Sequence, residues 1–534
     1  MREEKPVEFS LLGCSAISKR QKKTILVACC AALLVVIASM IVQFIYLPLG
    51  VDGGLYSYSG VSLSRGGDPG ESQLSVEELE TVEGVKATWD YDLSRTIRVI
   101  PVSWWFRVFG ANIWTVKVLG LIETLLLFGI MYVALQRASR DREIALLLWA
   151  VYVSDAIVLT LSTELRPDIM ITILTLIVFM FVNTEPEENK NHIPIFFLAL
   201  LCMFLLPVTH ITAAISLSFL ICYMLTKLIL DWRSIKWFQK SSYALLIFTG
   251  ILGFLIRRGI CAALVPSQYL DRIGSNTVVE VEKSVYALMS GGILPLIEKE
   301  FSRWASYFYP YNLPLLFVAI LAVFLFVINI VGPSGKKPSP SQISIVIGCA
   351  GALGVLALDP HPWNSHALVI VPFIIIFLAN EIKLTSAIKR KYVVMSLLLI
   401  LVVLSAASHA VRAGRIIAKS TQTGFSNQAV LDLMRNIFNE KKQYLVVGPA
   451  SLWPYIDPKV NVTIFDAKIG KMDDLSRYME RIDYFFKDKD YKGYEWEKYF
   501  RERYPDVILQ TVAEIGQEDS GWPFVKVMRP ALQR

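Results

Sequence analysis

The stretch TILVACCAALLVVIASMIVQFIYLPLGVDGGLY, residues 24–56, decides the class of this protein. It is apolar from Ile25 to Leu49 and then delivers a carboxylate, Asp52, beside Gly53 and Gly54. An apolar run of that length reads as a membrane-spanning helix. It is too long for a signal peptide, and no small-residue cleavage site follows, so it reads as uncleaved. An acid just beyond such a helix sits at the water boundary, where its charge is costly, which makes Asp52 a functional candidate. The rival reading is an Asp that caps a turn or helix.

The rest of the chain has the same character. Apolar residues make up 54% of its 534 residues. They gather in runs over Thr24–Leu49, Ile113–Leu135, Ile144–Leu161, Met170–Val182, Ile193–Val208, Ile211–Leu230, Tyr243–Leu264, Leu313–Val331, Ile343–Leu358, Ala367–Leu378 and Tyr392–Ala410. These predict roughly eleven spans, several of them short. The basic residues fall on one side if the spans alternate: Lys19–Lys23, Arg137–Arg142, Arg233–Lys240, Lys336–Lys337 and Lys383–Lys391. That side is cytoplasmic by the positive-inside rule, so the N-terminus is expected in the cytoplasm. The net charge of +7 follows from this bias and does not argue for nucleic acid.

The expected organisation is a cytoplasmic tail over 1–23, a membrane body over 24–410 with outward loops at 50–98 and 266–312, and an outward soluble α/β domain over 411–534. In that last segment the pattern predicts helices over Asn427–Asn439, Asp473–Phe485 and Trp496–Tyr504. It predicts strands over Gln443–Val447, Val460–Phe465, Asp506–Leu509 and Phe524–Met528. The segment has no cysteine among the seven in the chain, so no disulfide framework holds it. Neither a GxGxxG nor a P-loop is present. Two aromatic-rich, partly basic stretches, Asp90–Val108 and Ile293–Tyr311, suggest helices lying in the membrane interface.

Several residues stand beside Asp52 as candidates. Tyr56 could hydrogen-bond near it. In Glu164-Leu165-Arg166-Pro167-Asp168, Pro167 starts a helix and Asp168 falls in its first turn, where the helix dipole favours an acid. Arg166 offers a fork of donors for a phosphate, with an ion pair to Glu164 as the rival. Of five histidines, His210, His361, His366 and His409 fall near outward helix ends. His361 and His366 with Asp359 could ligate a metal, though hydrogen bonding or phosphate contact suits their spacing better. Glu123 and Asp155 read as acids at mid-depth that share a proton or a hydrogen bond. Arg257 and Arg258 mark the end of a span.

Taken together these stretches resemble the GT-C superfamily of polyprenyl-phosphate-sugar glycosyltransferases, nearest the protein O-mannosyltransferases and the aminoarabinose transferases (glycosyltransferase families 39 and 83). The residues that carry the resemblance are Asp52 after the first helix, Leu55-Tyr56, Leu63–Pro69, Pro101–Val118 and Glu164–Asp168. It implies an inverting transferase on the outward face of the plasma (inner) membrane. The donor would be a polyprenyl-phosphate-linked sugar and the acceptor a glycan, lipid or protein hydroxyl. Asp52 would be the base. Arg166, His210, Arg257, Arg258 and His366 would be candidates for the donor phosphate. Tyr56, Glu164, Asp168 and His361 would serve the acceptor or supply a second carboxylate. Several members follow the Asp with Glu, whereas Gly53 stands here, so a divalent metal is possible but not implied. The alternatives are a lipid-linked-glycan transporter or flippase, with Glu123, Asp155 and Arg257 on its path, and a non-catalytic assembly protein.

Overall fold

The computed structural model describes residues 19–50, 53–54, 56–57, 60, 96–184, 192–210, 212–233, 235–263, 294–331, 337–359, 364–384, 388–439, 444–457, 460, 462–465, 482–489, 501–502 and 504–532. Asp52, His361 and the first-loop stretch Leu63–Pro69 lie outside them, as does the side chain of Arg258.

The protein is a multi-pass helical membrane protein with a small C-terminal sheet domain. Among the described residues, eight helices are long and apolar enough to cross a membrane, and Pro167–Val182 and Ile193–Thr209 are shorter apolar helices. These correspond to ten of the expected spans. The helices are α1 (Lys19–Tyr46), α2 (Thr96–Phe109), α3 (Ile113–Ser139), α4 (Arg142–Val153), α5 (Ala156–Leu161), α6 (Pro167–Val182), α7 (His192–Thr209) and α8 (Ala213–Leu230). They continue with α9 (Trp237–Ala263), α10 (Leu294–Phe308), α11 (Leu313–Val331), α12 (Pro340–Leu358), α13 (Val371–Leu384), α14 (Ile388–Thr423) and α15 (Asn427–Ile437). A 3-10 helix, Asn364–Val369, leads into α13.

The span expected over Ile144–Leu161 is not one helix. It breaks at Ser154-Asp155 into α4 and α5, because the Asp155 carboxylate turns back to cap α5, accepting from the Ile157 and Val158 amides at 2.7 and 3.3 Å. Asn312 completes the break, accepting from the Ala156 amide at 2.7 Å and donating to Asp155 at 2.9 Å. The Tyr307 hydroxyl also donates to Asp155. The expected sharing between Asp155 and Glu123 is therefore absent: Glu123 forms a two-pronged ion pair with Arg98 of α2, both contacts at 2.7 Å. Each acid has its own polar partners, which is how burial of an acid in a helical bundle becomes tolerable.

Local sequence explains the other boundaries. Asn112 and Thr115 form a capping box that starts α3, and Ser339 and Gln342 form one that starts α12. Pro167 occupies the first turn of α6, where its missing N–H costs nothing. Helices α8 and α12 approach closely because α12 presents glycines: a Cβ at Gly351 would stand 2.6 Å from the Cys222 sulfur. At the core, Phe219 and Phe373 stack at 3.8 Å, with Phe179 and Tyr223 against them. The last membrane helix passes its expected end at Ala410 and runs to Thr423.

Gly424, at φ 72°, turns the chain out of α14 into the C-terminal domain. The strands are β1 (Tyr444–Val447), β2 (Val462–Phe465), β3 (Tyr484–Asp488), β4 (Val507–Ile515) and β5 (Val525–Leu532), in the order β2-β1-β3-β5-β4. β1 lies parallel to β2 and β3, and β5 runs antiparallel to β3 and β4. The helix expected to reach Phe485 is wrong at its end: Tyr484 to Asp488 form β3 at the centre of the sheet. Phe485 and Phe486, both buried, satisfy the two faces of a covered central strand. The rest of that expected helix lies outside the described residues.

Candidate active site

The cleft is built around the segment Ser162–Asp168, between α5 and α6. Its seat is Gly120 of α3. The Ser162 and Glu164 carbonyl oxygens lie 2.7 and 3.0 Å from where a Cβ on Gly120 would be, so only glycine lets this backbone come so close. Arg98, fully buried, adds a hydrogen bond to the Leu165 carbonyl at 3.4 Å while it holds Glu123. Two helices and a buried cation thus fix a short loop that bears three charged side chains.

Those side chains separate in role. Asp168 is buried in the first turn of α6 and accepts from Arg166 Nε at 3.0 Å. Arg166 therefore pairs with Asp168, not with Glu164 as the rival sequence reading had it, and its Nη2 donates to Ser365 Oγ at 3.0 Å. Glu164 turns the other way. Its carboxylate lies about 3 Å from the position of a Cβ on Gly50, the last described residue before Asp52. Asp52 follows Gly50 by two residues. Glu164 is also near enough to Lys117 of α3 for their charges to attract.

Between these groups lies an open cleft of about 410 Å³, lined by Ile157, Thr160, Leu161, Glu164, Arg166, Ser306, Asn364 and Ser365. Its far wall is α10 with the 3-10 helix, joined where Asn364 donates to the Ser306 carbonyl at 3.4 Å. Behind that wall is a second charged group. Arg303, fully buried, contacts Glu300 at 2.7 Å and Asp359 at 3.3 Å and donates to the Leu356 carbonyl at 2.7 Å. Asp359 also meets His366 Nδ1 at 2.5 Å. Lys299 donates to the Ala357 and Asp359 carbonyls at 2.7 and 2.6 Å. Burial pushes the Glu300 carboxyl above its ordinary range despite the pull of Arg303 and Lys299. Burial, reinforced by Arg303, pushes the Lys299 ammonium below its own. On its outer side α10 exposes Leu294, Ile297 and Phe301, an apolar stripe at helical spacing.

The remaining sequence candidates fall elsewhere. His366 is adjacent to Ser365 but is buried against Asp359, behind the lining. His210 is buried, with Nδ1 accepting from the Thr212 amide at 3.2 Å and 2.8 Å from Thr212 Oγ1, and it is not among the lining residues. Arg257 is buried in α9 and does not line the cleft either. Tyr56 is fully buried among Leu49, Val102 and Phe106. Among the described residues no three His, Cys, Asp or Glu side chains gather as a metal site would require. The sequence reading passed over Thr160, Ser306 and Ser365, which carry no charge to mark them. It also passed over Lys117, and it read Arg98 only as part of the interfacial stretch Asp90–Val108. Lys117 did have a signal, being a basic residue within an apolar span.

This architecture is similar to that of the apo crystal structure of ArnT from Cupriavidus metallidurans, with a TM-score of 0.54, across 95% of this chain and 98% of that chain. Only 11% of residues are identical, so the likeness is one of fold. No family model and no curated protein matches the sequence.

Proposed function

We propose that the protein is an inverting glycosyltransferase that moves a sugar from a polyprenyl-phosphate donor to an acceptor hydroxyl on the outward face of the plasma (inner) membrane. The observation that carries this is the convergence of Glu164, Arg166 and Ser365 on one cleft, with Glu164 against the chain two residues before Asp52. The ArnT-like fold supports the same reading. The segments 50–98, 266–312 and 411–534 then face the acceptor side.

The chemistry follows from those groups. The acceptor oxygen attacks the anomeric carbon as the bond from that carbon to the phosphate oxygen breaks, through an oxocarbenium-like transition state. The acceptor proton passes to a carboxylate, with Asp52 as the base and Glu164, which lies against Gly50, as the second carboxylate. The electron pair of the broken bond leaves with the phosphate, whose growing charge Arg166 meets. Asp168 and Ser365 hold the guanidinium in place so that little reorganisation is needed. A base in position contributes about 10²–10⁴-fold. The transport alternative has less support from this geometry, because Glu123 is paired with Arg98 and Asp155 is held by Tyr307 and Asn312.

The test is sugar transfer by the purified protein in lipid, from a mixed pool of polyprenyl-phosphate sugars to envelope acceptors. Wild type should release polyprenyl phosphate. Asp52→Asn should lower release about 10²–10⁴-fold with the protein folded, and Arg166→Ala should lower it about 10²–10³-fold. Release that survives Asp52→Asn but not Glu164→Gln would make Glu164 the base. No release from any donor, with intact protein, would overturn the reading in favour of transport.

A further inference from the structure

The end of α1 is held by buried groups that do not line the cleft. The last carbonyls of a helix have no partners within it and carry the negative end of its dipole. Here they are met from two sides. From α3, Lys117 Nζ donates to the Phe44 and Leu47 carbonyls at 2.8 and 2.5 Å. From the C-terminal domain, Asn427 Nδ2 lies 3.0, 2.8 and 3.0 Å from the Phe44, Ile45 and Leu47 carbonyls. Asn427 Oδ1 accepts from the Tyr455 hydroxyl at 2.6 Å, which fixes the amide's direction. Lys117 and Asn427 are fully buried and Tyr455 nearly so.

Asn427 is not capping its own helix. Ser426 does that, accepting from the Ala429 amide at 3.1 Å. The amide of Asn427 is thus left to the α1 terminus, more than 380 residues earlier in the chain. Beside it Pro48, Leu49, Phe425, Val430, Leu452 and Tyr455 line a small cavity of about 50 Å³. One residue further on, Gly50 meets Glu164.

We infer that the C-terminal domain clamps the end of α1 through Asn427, opposite Lys117, and thereby positions the loop that carries Asp52. Asn427 is a positioning residue: it touches no substrate and acts through the backbone from Phe44 to Gly50. This rests on the transferase reading for its catalytic consequence, although the clamp itself does not. Rate losses of about 10²-fold follow from misplacing a catalytic group by an ångström, so the clamp belongs to the catalytic apparatus even though its residues lie outside the cleft.

The experiment uses the full-length protein in nanodiscs, with Asn427→Ala and the milder Tyr455→Phe, which leaves the amide but frees its direction. Two readouts are taken: hydrogen exchange over residues 44–57, and kcat and KM for sugar transfer. Asn427→Ala should speed exchange in that segment, lower kcat about 10²-fold and leave the donor KM within about two-fold. Tyr455→Phe should do the same to a smaller degree. The double variant Asp52→Asn/Asn427→Ala should be no slower than Asp52→Asn alone, because the two act through one group. Unchanged exchange over 44–57 would overturn the clamp. A double variant slower by the full product of the two losses would overturn positioning through Asp52. If no preparation transfers sugar, the transferase reading fails, and the exchange result alone still decides the clamp.

Discussion

The two walls of the cleft are held by different physics. The wall made by Ser162–Asp168 rests chiefly on close backbone contact, carbonyls against Gly120 and a buried arginine on the Leu165 carbonyl, with only the Arg166–Asp168 and Arg98–Glu123 ion pairs added. The opposite wall, α10 with the 3-10 helix, rests on titratable side chains: Lys299, Glu300, Arg303, Asp359 and His366. Packing of the first kind changes little with pH or salt. A network of the second kind does change, and it sits in a helix whose other face is an apolar stripe. The cleft therefore pairs a fixed wall that bears the candidate chemistry with a wall whose stability is adjustable.

The largest effect should come from the adjustable wall. Arg303→Met leaves Glu300 and Asp359 without their shared cation, and removal of one partner from a buried ion pair costs about 3–5 kcal/mol. Thermal unfolding of the purified protein should show this as a clear fall in Tm. If neutralising both acids as well, in Arg303→Met/Glu300→Gln/Asp359→Asn, recovers none of the loss, the wall is held by packing and the contrast fails.

On the fixed wall, Gly120→Ala should matter and Gly50→Ala should not. A methyl on Gly120 meets backbone oxygens at 2.7 and 3.0 Å, which cannot yield without moving the loop. We expect a cost of about 1–3 kcal/mol in stability and a loss of about 10²-fold in kcat. The atoms nearest a methyl on Gly50 are those of the Glu164 carboxylate, the end of a flexible side chain, so the change should cost transfer no more than a few-fold by shifting that group. Equal losses in the two variants would mean that Glu164 is as constrained as the backbone it hangs from.

The membrane class, nearly all of the spans and the division into a helical body and a sheet domain could be read from the sequence because hydrophobic runs report them directly. The break at Asp155 could not be. Its cause is a carboxylate folding back to cap α5, aided by Tyr307 and Asn312, which lie more than 150 residues away. β3 was missed because Tyr484–Asp488 is a short, centrally covered strand whose partners, β1 and β5, are distant in the chain. In the cleft, Arg166 and Glu164 were visible as charges at a span end. Ser306 and Ser365 line the cleft only because the fold brings α10 and the 3-10 helix across from α5.

The adjustable wall also predicts a pH dependence. The Glu300 carboxyl is raised chiefly by burial, so its folded value lies above the ordinary 4.5. The folded protein then binds this proton more tightly than the unfolded chain. The resulting stability is fully present below 4.5 and is lost as pH rises through the folded value. Glu300→Gln cannot titrate and should flatten that decline in Tm as pH rises above 4.5. A wild-type slope that persists unchanged in the variant would assign the pH dependence to another group.

The smallest expected effect sharpens what burial contributes to this contrast. In the C-terminal domain Glu518 forms a comparable acid–base cluster, 2.6 Å from Lys487 and 3.5 Å from Lys526, but it lies nearer the surface. Burial alone would raise its carboxyl. The Lys487 hydrogen bond and the two ammonium charges outweigh that and hold it below its ordinary range. The sign is opposite to that of Glu300: the stabilisation is present above 4.5 and lost as pH falls through the lowered folded value. Water screens such a pair, so Glu518→Gln should cost roughly 0.5–1 kcal/mol or less near neutrality and nothing in strong acid. If Glu518→Gln instead lowers Tm as far as Arg303→Met does, charge pairing would decide stability in both regions. Burial would then not be what makes the α10 wall the sensitive one.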